Sequence, residues 1–434
     1  SYILTETSFI LDKDTTFILG ADESLTDSPG VMARDWEERT RQYWAKWARS
    51  LAIPFEWQDE VIRAAITLKL CVFEETGGIV AALTTSIPEH EGSSRNWDYR
   101  FCWIRDAYFT VTALNRLSGM GTLEHYMRWV RNIVAHSKGG HIQPVYGIGL
   151  EADLSEDLAP NLPGFRDSGP VRRGNQAAEH VQHDVYGQVV LGVSQSFFDR
   201  RLLAQPGIAE FEQLEPVGER AFAVYDTPDA GIWEFRTIAH VHTSSAIMCW
   251  AACDRLSRIA ERLGLDNREA YWRERADIIH ETILEKAWND DVKAFTAAFG
   301  GTDLDASVLL MAEIGFLPAS DSRYISTVEA VDRDLRMGDH VYRYKVEDDF
   351  GKPKTAFTAC TFWFIDALYR VGRVEEARNM FEAVLASRNH LGLLSEDVNP
   401  ETNELWGNFP QTYCMVGIIN SAALLSKPWA AVTG

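Results

Sequence analysis

The sequence predicts an all-α protein folded as an (α/α)6 barrel with a short N-terminal β appendage. Three observations favour this fold. Apolar residues recur at helical spacing from Val31 onward, the links between helical segments alternate between short and long, and no repeat of fixed period is present. An α-solenoid is also built from helical hairpins, but it would show such a repeat. The pattern therefore favours a closed ring of hairpins.

The chain is predicted to begin with two short strands, over residues 2–11 and 16–19, because β-branched and aromatic residues dominate there. We assign residues 1–30 to an appendage, the remnant of an N-terminal β-domain, and residues 31–434 to the barrel domain. An entry helix up to about residue 52 is predicted by four aromatic residues at helical spacing: Trp36, Tyr43, Trp44 and Trp47.

Twelve further helical segments follow the entry helix. Their predicted cores span residues 57–75, 103–117, 123–136, 175–203, 211–225, 243–263, 268–288, 304–317, 322–335, 355–370, 374–388 and 412–425. Short links join them in pairs at residues 118–122, 205–210, 264–267, 318–321 and 370–374. Long connections separate the pairs at residues 77–102, 139–174, 226–242, 289–303, 338–354 and 389–411. If six hairpins close in a ring, every long connection lies at the same end, which is then the functional face.

Composition narrows the class of partner. The 434-residue chain is 46% apolar, which is enough for a sizeable core and argues against disorder. Its formal net charge of -21, with no basic tract to offset it, argues against nucleic acid or an anionic membrane as partner. The sequence leaves the oligomeric state open.

The six cysteines lie in apolar, helix-like segments, and no pair has the spacing of a zinc or redox site. They predict free buried thiols in a reducing compartment, and hence a cytoplasmic protein. The sequence shows no signal peptide and no apolar run long enough to span a bilayer. Because the chain begins at Ser1 and not at a methionine, a leader or a preceding domain is left open.

Residues 96–106, read N-W-D-Y-R-F-C-W-I-R-D, mix large aromatic side chains with charged ones. An ordinary core helix would not combine them so densely. A polar ligand with flat apolar faces, such as a sugar, requires rings to stack on and fixed donors and acceptors for its hydroxyls. A partly buried cluster of ion pairs at a helix start is the alternative.

Two glutamates stand out in the other long connections. Glu234 is flanked by Trp233 and Phe235, and such a poorly solvated carboxyl is expected to have a raised pKa, which suits a proton donor. Glu396 follows an apolar pair and precedes an aromatic, amide-bearing loop. An ion-paired loop acid and a capping acid are the respective alternatives. Two carboxyls on one face fit glycoside hydrolysis, but their spacing in sequence cannot choose between inversion and retention.

Four stretches carry a resemblance to a known family: N-W-D-Y-R-F-C-W-I-R-D-A, P-V-R-R-G-N, P-D-A-G-I-W-E-F-R and G-L-L-S-E-D-V-N-P-E-T-N-E-L-W-G-N-F-P-Q. In this order they strongly resemble glycoside hydrolase family 15, the glucoamylase-like family, which includes glucodextranases and some bacterial trehalases. The resemblance covers about residues 31–426. It implies an (α/α)6 barrel and hydrolysis with inversion, releasing β-glucose from the non-reducing ends of α-glucosides.

The resemblance also implies roles for individual residues. Glu234 matches the family's general acid and Glu396 its general base. Arg105 and Asp106 match the pair that grips the terminal glucose hydroxyls, and Tyr99 matches the tyrosine beside the base. The remaining predicted substrate-binding residues, which match walls of the glucose pocket, are Trp103, Trp233, Arg343 and Tyr344.

No cofactor and no metal are predicted. His180 and His183 with Asp184 lack the H-E-x-x-H pattern of a helical zinc site. Two positions depart from the bacterial pattern, with Ala246 in place of a lysine and Met415 in place of a histidine. We expect these departures to affect the leaving-group side of the pocket.

The predicted function is that of an inverting, exo-acting α-glucosidase acting on small isomalto- or malto-oligosaccharides, with α-1,6 linkages favoured over long starch chains. A trehalase of the same family is the alternative within this class. A non-catalytic, glucoamylase-like sugar-sensing domain is the alternative outside it, although retention of both glutamates argues against that interpretation. The predicted partner is a small carbohydrate.

Overall fold

The computed structural model describes residues 5–20, 24–137 and 140–433, so residues 2–4 of the first predicted strand lie outside it. The chain forms two compact units, Ser1–Leu51 and Ala52–Gly434. The sequence-based division into an appendage of residues 1–30 and a barrel domain of residues 31–434 stays a prediction. Within the described ranges, no helix combines the length and apolar character that a membrane span requires.

The first unit contains helix α1 (Pro29–Arg49), which confirms the predicted entry helix. Pro29 suits the first helical turn because its missing N–H has no partner there in any case. Residues 5–20 and 24–28 form turns and irregular segments, so the described parts of the two predicted strands are not strands. Their β-branched and aromatic residues favour an extended backbone, but a strand also needs a hydrogen-bonding neighbour.

The second unit holds the remaining α-helices. In chain order they are α2 (Gln58–Leu70), α3 (Ile104–Arg116), α4 (Met120–His136), α5 (Asp184–Ser194), α6 (Ile208–Val224), α7 (Thr243–Leu263), α8 (Asp266–Lys286), α9 (Met311–Ile314), α10 (Ser322–Asp334), α11 (Thr358–Arg370), α12 (Val374–Ala386), α13 (Thr412–Leu425) and α14 (Ala430–Thr433). Short 3-10 helices occupy Phe165–Asp167, Gln176–Glu179, Gln195–Phe197 and Ala306–Leu310.

Six of these helical segments form a closed inner ring. Helix α3 contacts α5, α5 contacts α7, and α7 contacts the 3-10 helix Ala306–Leu310 that leads into α9. This segment contacts α11, α11 contacts α13, and α13 returns to α3. The outer helices α2, α4, α6, α8, α10 and α12 pack on this ring. The unit is thus the predicted (α/α)6 barrel, in which long connections lead into the inner helices and short links lead out of them.

The inner helices α5, α11 and α13 are buried on nearly every side and are largely apolar all round. Small residues allow them to approach closely. A Cβ added to Gly187 of α5 would lie 2.1 Å from the backbone oxygen of Met248 in α7. The inner ring therefore tolerates little change in side-chain volume at this contact.

The predicted helix over residues 175–203 is broken, which corrects the sequence interpretation. It consists of the 3-10 helix Gln176–Glu179, an extended turn, α5 and a second 3-10 helix. The break arises because this segment is bonded to a distant loop: the Ala230 amide donates to the Val181 carbonyl at 2.9 Å, and Gln182 Nε2 donates to the Gly231 carbonyl at 2.5 Å. Tertiary hydrogen bonds thus replace those of a continuous helix.

Two-residue strands are inserted in the connections, and all their pairs are antiparallel. Five pairs form separate ribbons: β1 (Val72–Phe73) with β2 (Gly78–Ile79), β3 (Cys102–Trp103) with β4 (Val145–Tyr146), β5 (Asp157–Leu158) with β6 (Arg172–Arg173), β7 (Trp288–Asn289) with β8 (Ala294–Phe295), and β9 (Arg336–Met337) with β10 (His340–Val341). A three-stranded sheet joins β11 (Ala356–Phe357), β12 (Asp397–Val398) and β13 (Leu405–Trp406). These pairings hold long connections in place at one end of the barrel.

Candidate active site

A cavity opens where the long connections meet, with about 850 Å³ of empty space when the open solvent at its entrance is included. The structure brings all nine sequence-predicted site residues together in its lining: Tyr99, Trp103, Arg105, Asp106, Trp233, Glu234, Arg343, Tyr344 and Glu396. The long connections predicted to share one functional face therefore do converge.

The floor of the cavity is built by the first turn of α3. Arg105 is 9% exposed, and its Nη1 donates to the Ile232 carbonyl at 2.8 Å. Asp106 is 3% exposed, lies 3.7 Å from Arg105 Nε and accepts from Thr412 Oγ1 at 3.4 Å. Burial raises the pKa of Asp106 to about 6. This buried fork of donors and acceptors suits a ligand rich in hydroxyls.

Glu234 lies at the wall, in a tight turn of the connection between α6 and α7. Its φ of 62° is in the left-handed region, which costs a non-glycine residue roughly 1–2 kcal/mol. Its Oε1 accepts from Trp103 Nε1 at 2.6 Å and from Arg105 Nη2 at 2.9 Å. The side chain is 19% exposed. The sequence predicts apolar surroundings for this carboxyl, but the structure also places two strong hydrogen-bond donors beside it.

Asp229 fixes the loop that carries Glu234. It is 2% exposed, and its Oδ2 accepts from the His183 amide at 2.8 Å and from Ser245 Oγ at 2.7 Å. Its Oδ1 contacts His242 Nδ1 at 2.8 Å. These bonds tie the loop to the first turns of α5 and α7. Because the loop is fixed in this way, Glu234 can keep its strained left-handed backbone conformation.

Glu396 lines the same cavity, on the segment that leads into β12, and is 1% exposed. Its Oε1 accepts from the Tyr99 hydroxyl at 2.5 Å, whereas its Oε2 has no hydrogen-bond partner among the described residues. Burial raises its pKa to about 8, with the charge of Glu89 as the second cause. Gly407, at φ 76°, packs against it so closely that an added Cβ would lie 2.8 Å from Glu396 Cβ.

Glu396 belongs to a cluster of three buried carboxylates. Oxygens of Glu89, Glu396 and Asp397 lie within 4.8 Å of one another, and in the described ranges this is the one such grouping that could hold a metal ion. Positive charge already lies beside it, since Arg343 Nη2 is 2.6 Å from Glu89 Oε2 and Arg95 Nε is 3.8 Å from the same oxygen. Arg343 and Arg95 therefore supply positive charge that offsets the negative charge of the three carboxylates.

Aromatic rings form the apolar face. Trp233 packs edge-on against Phe357 at 5.3 Å between ring centroids and against Tyr344 at 6.2 Å. Its Nε1 donates to Asp305 Oδ2 at 2.6 Å, which fixes the orientation of the indole. Trp103 packs on Tyr99 at 5.4 Å. The cavity therefore combines flat apolar walls with a charged floor, as binding of a sugar ring requires.

A family model described as "Glycosyl hydrolases family 15" matches residues 57–423 of the chain. The chain belongs to glycosyl hydrolase family 15. The resemblance inferred from the four sequence motifs is confirmed by this match, which covers most of the barrel.

Curated relatives of this family-15 chain include trehalases. The trehalase of Thermoplasma volcanium is 32% identical over 394 residues, which cover 90% of this chain and 62% of the relative. The trehalase of Mycobacterium tuberculosis is 35% identical over 399 residues, with 90% and 58% covered. The chain thus spans about three-fifths of the length of these relatives.

Solved structures of low sequence identity share the fold. A bacterial glucoamylase complexed with acarbose has a TM-score of 0.70 at 15% identity, covering 91% of this chain and 60% of that one. The glucoamylase of Saccharomycopsis fibuligera has a TM-score of 0.63 at 12% identity, covering 84% and 94%. Both support the (α/α)6 assignment for this family-15 barrel.

The sequence interpretation of this family-15 chain missed part of the cavity lining. The additional residues include Glu89, Arg95, Trp97, His180, Asp348, Asp349, Phe350, Phe357, Trp363 and Tyr413. Glu89 and Arg95 lie just before the aromatic motif in the long connection that carries Tyr99, and Trp97 lies within that motif; this proximity is the signal that the sequence offers. His180 was considered only as a metal ligand; both of its ring nitrogens are buried without a hydrogen-bond partner in the described structure.

The two departures from the bacterial pattern lie outside the cavity lining, and their expected effect on the leaving-group side stays a prediction. Ala246 and Met415 have no exposed surface and are buried within α7 and α13. Neither side chain therefore borders the cavity in this chain. The neighbouring Ser245 instead bonds Asp229, so this part of α7 supports the Glu234 loop.

Proposed function

We propose that this family-15 chain hydrolyses α,α-trehalose to two glucose molecules. One observation carries the proposal: two carboxyls, Glu234 and Glu396, line one cavity in a chain whose curated relatives include trehalases. The alternative named from the sequence is therefore preferred to an isomaltose- or maltose-directed enzyme. The expectation of an isomaltose- or maltose-directed enzyme rests in part on Ala246 and Met415, and both lie outside the cavity lining.

In the proposed reaction, one glucose ring binds at the floor against Arg105 and Asp106. Glu234, protonated, donates its proton to the bridging oxygen as the bond to the anomeric carbon breaks. Glu396, ionised, takes a proton from a water that attacks that carbon from the opposite face. Inversion yields one β-glucose, while the departing ring keeps its α configuration. The Oε2 of Glu396 is buried and has no hydrogen-bond partner among the described residues, so no other group competes for its proton-accepting capacity.

The cavity also has polar groups that support a second polar ring as the leaving group. Arg236 lines the cavity and is held by Glu156, with Nη2 2.9 Å from Glu156 Oε2. Its guanidinium lies 4.9 Å from the centre of the Trp97 ring. His180 adds two ring nitrogens that are without partners among the described residues. A second glucose would supply hydroxyls to these groups, whereas an apolar leaving group would leave them unsatisfied.

The six cysteines support the cytoplasmic location expected from the sequence. All of them are free and buried. Burial raises the pKa of the Cys71 thiol to about 12, which keeps it protonated and poorly reactive near neutral pH. Unpaired structural thiols of this kind are typical of proteins from reducing compartments.

We expect trehalose to be the preferred substrate, with kcat/KM higher than for isomaltose, maltose or soluble starch. The measurement compares glucose release from the four substrates with the same enzyme preparation. Proton NMR of the first products from trehalose should show α- and β-glucose in equal amounts, because one ring inverts and one does not. α-Glucose alone would indicate retention and refute the inverting mechanism. A clear preference for starch would refute the trehalase assignment.

Replacing Gly407 by alanine should displace Glu396 and lower kcat on trehalose by about a hundredfold, since small misplacements of a catalytic group have effects of that size. The added Cβ would lie 2.8 Å from both Cβ and Oε2 of Glu396. Gly372→Ala is the matched control, because Gly372 has a φ of 89° but no atom within 4 Å of an added Cβ. Both variants should lose roughly 1–2 kcal/mol of unfolding free energy from the left-handed backbone. Equal kcat in the two variants would contradict the packing argument.

A further inference from the structure

We infer that Glu89 is a positioning residue that keeps Arg343 away from Glu396 and thereby preserves the basicity of the catalytic carboxylate. The inference rests on the proposed function of Glu396 as general base. It concerns a residue that the motifs do not identify, since Glu89 lies in the stretch S-I-P-E-H, well before the aromatic motif.

The geometry around Glu89 carries the inference. It is 2% exposed, and its Oε2 accepts from Arg343 Nη2 at 2.6 Å while its Oε1 accepts from Trp97 Nε1 at 3.2 Å. Its carboxylate lies in the cluster with Glu396 and Asp397. Two like charges this close to Glu396 would be costly if no cation compensated them.

Arg343 has few other anchors. Its guanidinium lies over the rings of Tyr344 and Phe357, at 5.5 and 5.7 Å, and its Nε has no hydrogen-bond partner among the described residues. Glu89 is the carboxylate that forms an ion pair with it in the described part of the chain. Without the charge of Glu89, the free cation would turn to the remaining carboxylates of the cluster, and an Arg343–Glu396 pair would leave the base less able to take a proton.

The charged and titratable groups around Glu396 in the described structure are Tyr99, Glu89, Arg343, Asp397 and Cys414. Arg95 adds a second cation next to Glu89, with its Nε 3.8 Å from Glu89 Oε2 and its Nη2 bonded to Asp348. Burial is the largest cause of the raised pKa of Glu396, and Glu89 is the next, whereas Arg343 lowers it. Removing the negative charge of Glu89 therefore lowers the pKa of Glu396 directly. Release of Arg343 lowers it further, so the two effects have the same sign.

The test is the pH dependence of kcat/KM on trehalose in Glu89→Gln. Since Glu396 must be ionised to act, activity falls as the pH drops through its pKa, and this acidic limb should move to lower pH by about one unit. The maximum of kcat should fall about tenfold because the base is weaker. Glu89→Asp, which keeps the charge, should restore the position of the limb. Glu376→Gln is the matched control, since Glu376 also pairs with two arginines, Arg336 and Arg373, outside the cavity lining.

A purely structural role would lower activity at all pH values and leave the limb in place, which would overturn the inference. A second measurement is independent of turnover. Carbon-13 NMR of protein labelled at the glutamate carboxyl carbon, with Glu396→Gln to assign the signal, should show Glu396 titrating at lower pH in Glu89→Gln than in the parent. An unchanged titration would overturn the inference even if trehalose proved not to be the substrate, and a shifted titration without trehalose hydrolysis would refute only the proposed function.

Discussion

Replacing Glu234 by glutamine is expected to lower kcat/KM on trehalose roughly a hundredfold to ten-thousandfold, the range typical of a lost general acid. The amide cannot give a proton to the departing sugar. The substitution keeps the size of the side chain and the turn at φ 62°. We therefore expect the melting temperature to change little, so that the loss reports on chemistry and not on folding.

A substrate whose leaving group needs no proton separates this role from simple binding. α-D-Glucosyl fluoride releases fluoride ion without acid assistance, so Glu234→Gln should hydrolyse it with a loss of no more than about tenfold. Equal losses on the fluoride and on trehalose would contradict the assignment of Glu234 as the acid. Those losses would instead point to the bonds from Trp103 and Arg105 that position this carboxyl.

The sequence predicted the barrel well because local and global signals agree there. The helices over residues 243–263 and 412–425 were predicted with the bounds that α7 and α13 have. The alternation of short and long links was enough to place Glu234 and Glu396 on the same face. Hydrophobic periodicity and turn residues are local properties, and they determine helical hairpins directly.

The contacts that support the site were not predictable in the same way. Glu89 and Arg343 are 254 residues apart in sequence, and nothing in either local pattern indicates the pairing. The segment around His180 reads as helix but is held open by bonds to residues 230 and 231. Burial and close contacts determine the charge environment of Glu396, and they involve residues that meet only once the ring of helices has closed.

Replacing Glu396 by glutamine should abolish hydrolysis of trehalose and of α-D-glucosyl fluoride alike. Both substrates need an activated water, and the amide cannot accept its proton. A loss of roughly a hundredfold or more on each is expected, in contrast to the selective loss in Glu234→Gln. Retention of fluoride hydrolysis in Glu396→Gln would refute the role of Glu396 as base.

The same variant should be more stable than the parent, and more so as the pH rises. Burial and the nearby Glu89 raise the pKa of Glu396 from an ordinary 4.5 to about 8 in the fold. Between these values the folded chain binds more protons at this site than the unfolded chain, so the free energy of unfolding falls with rising pH. Glutamine carries no such dependence. The gain in melting temperature should therefore be small near pH 4 and larger near pH 8. A variant that is less stable at both pH values would show that Glu396 supports the fold, and the loss of activity would then not identify it as the base.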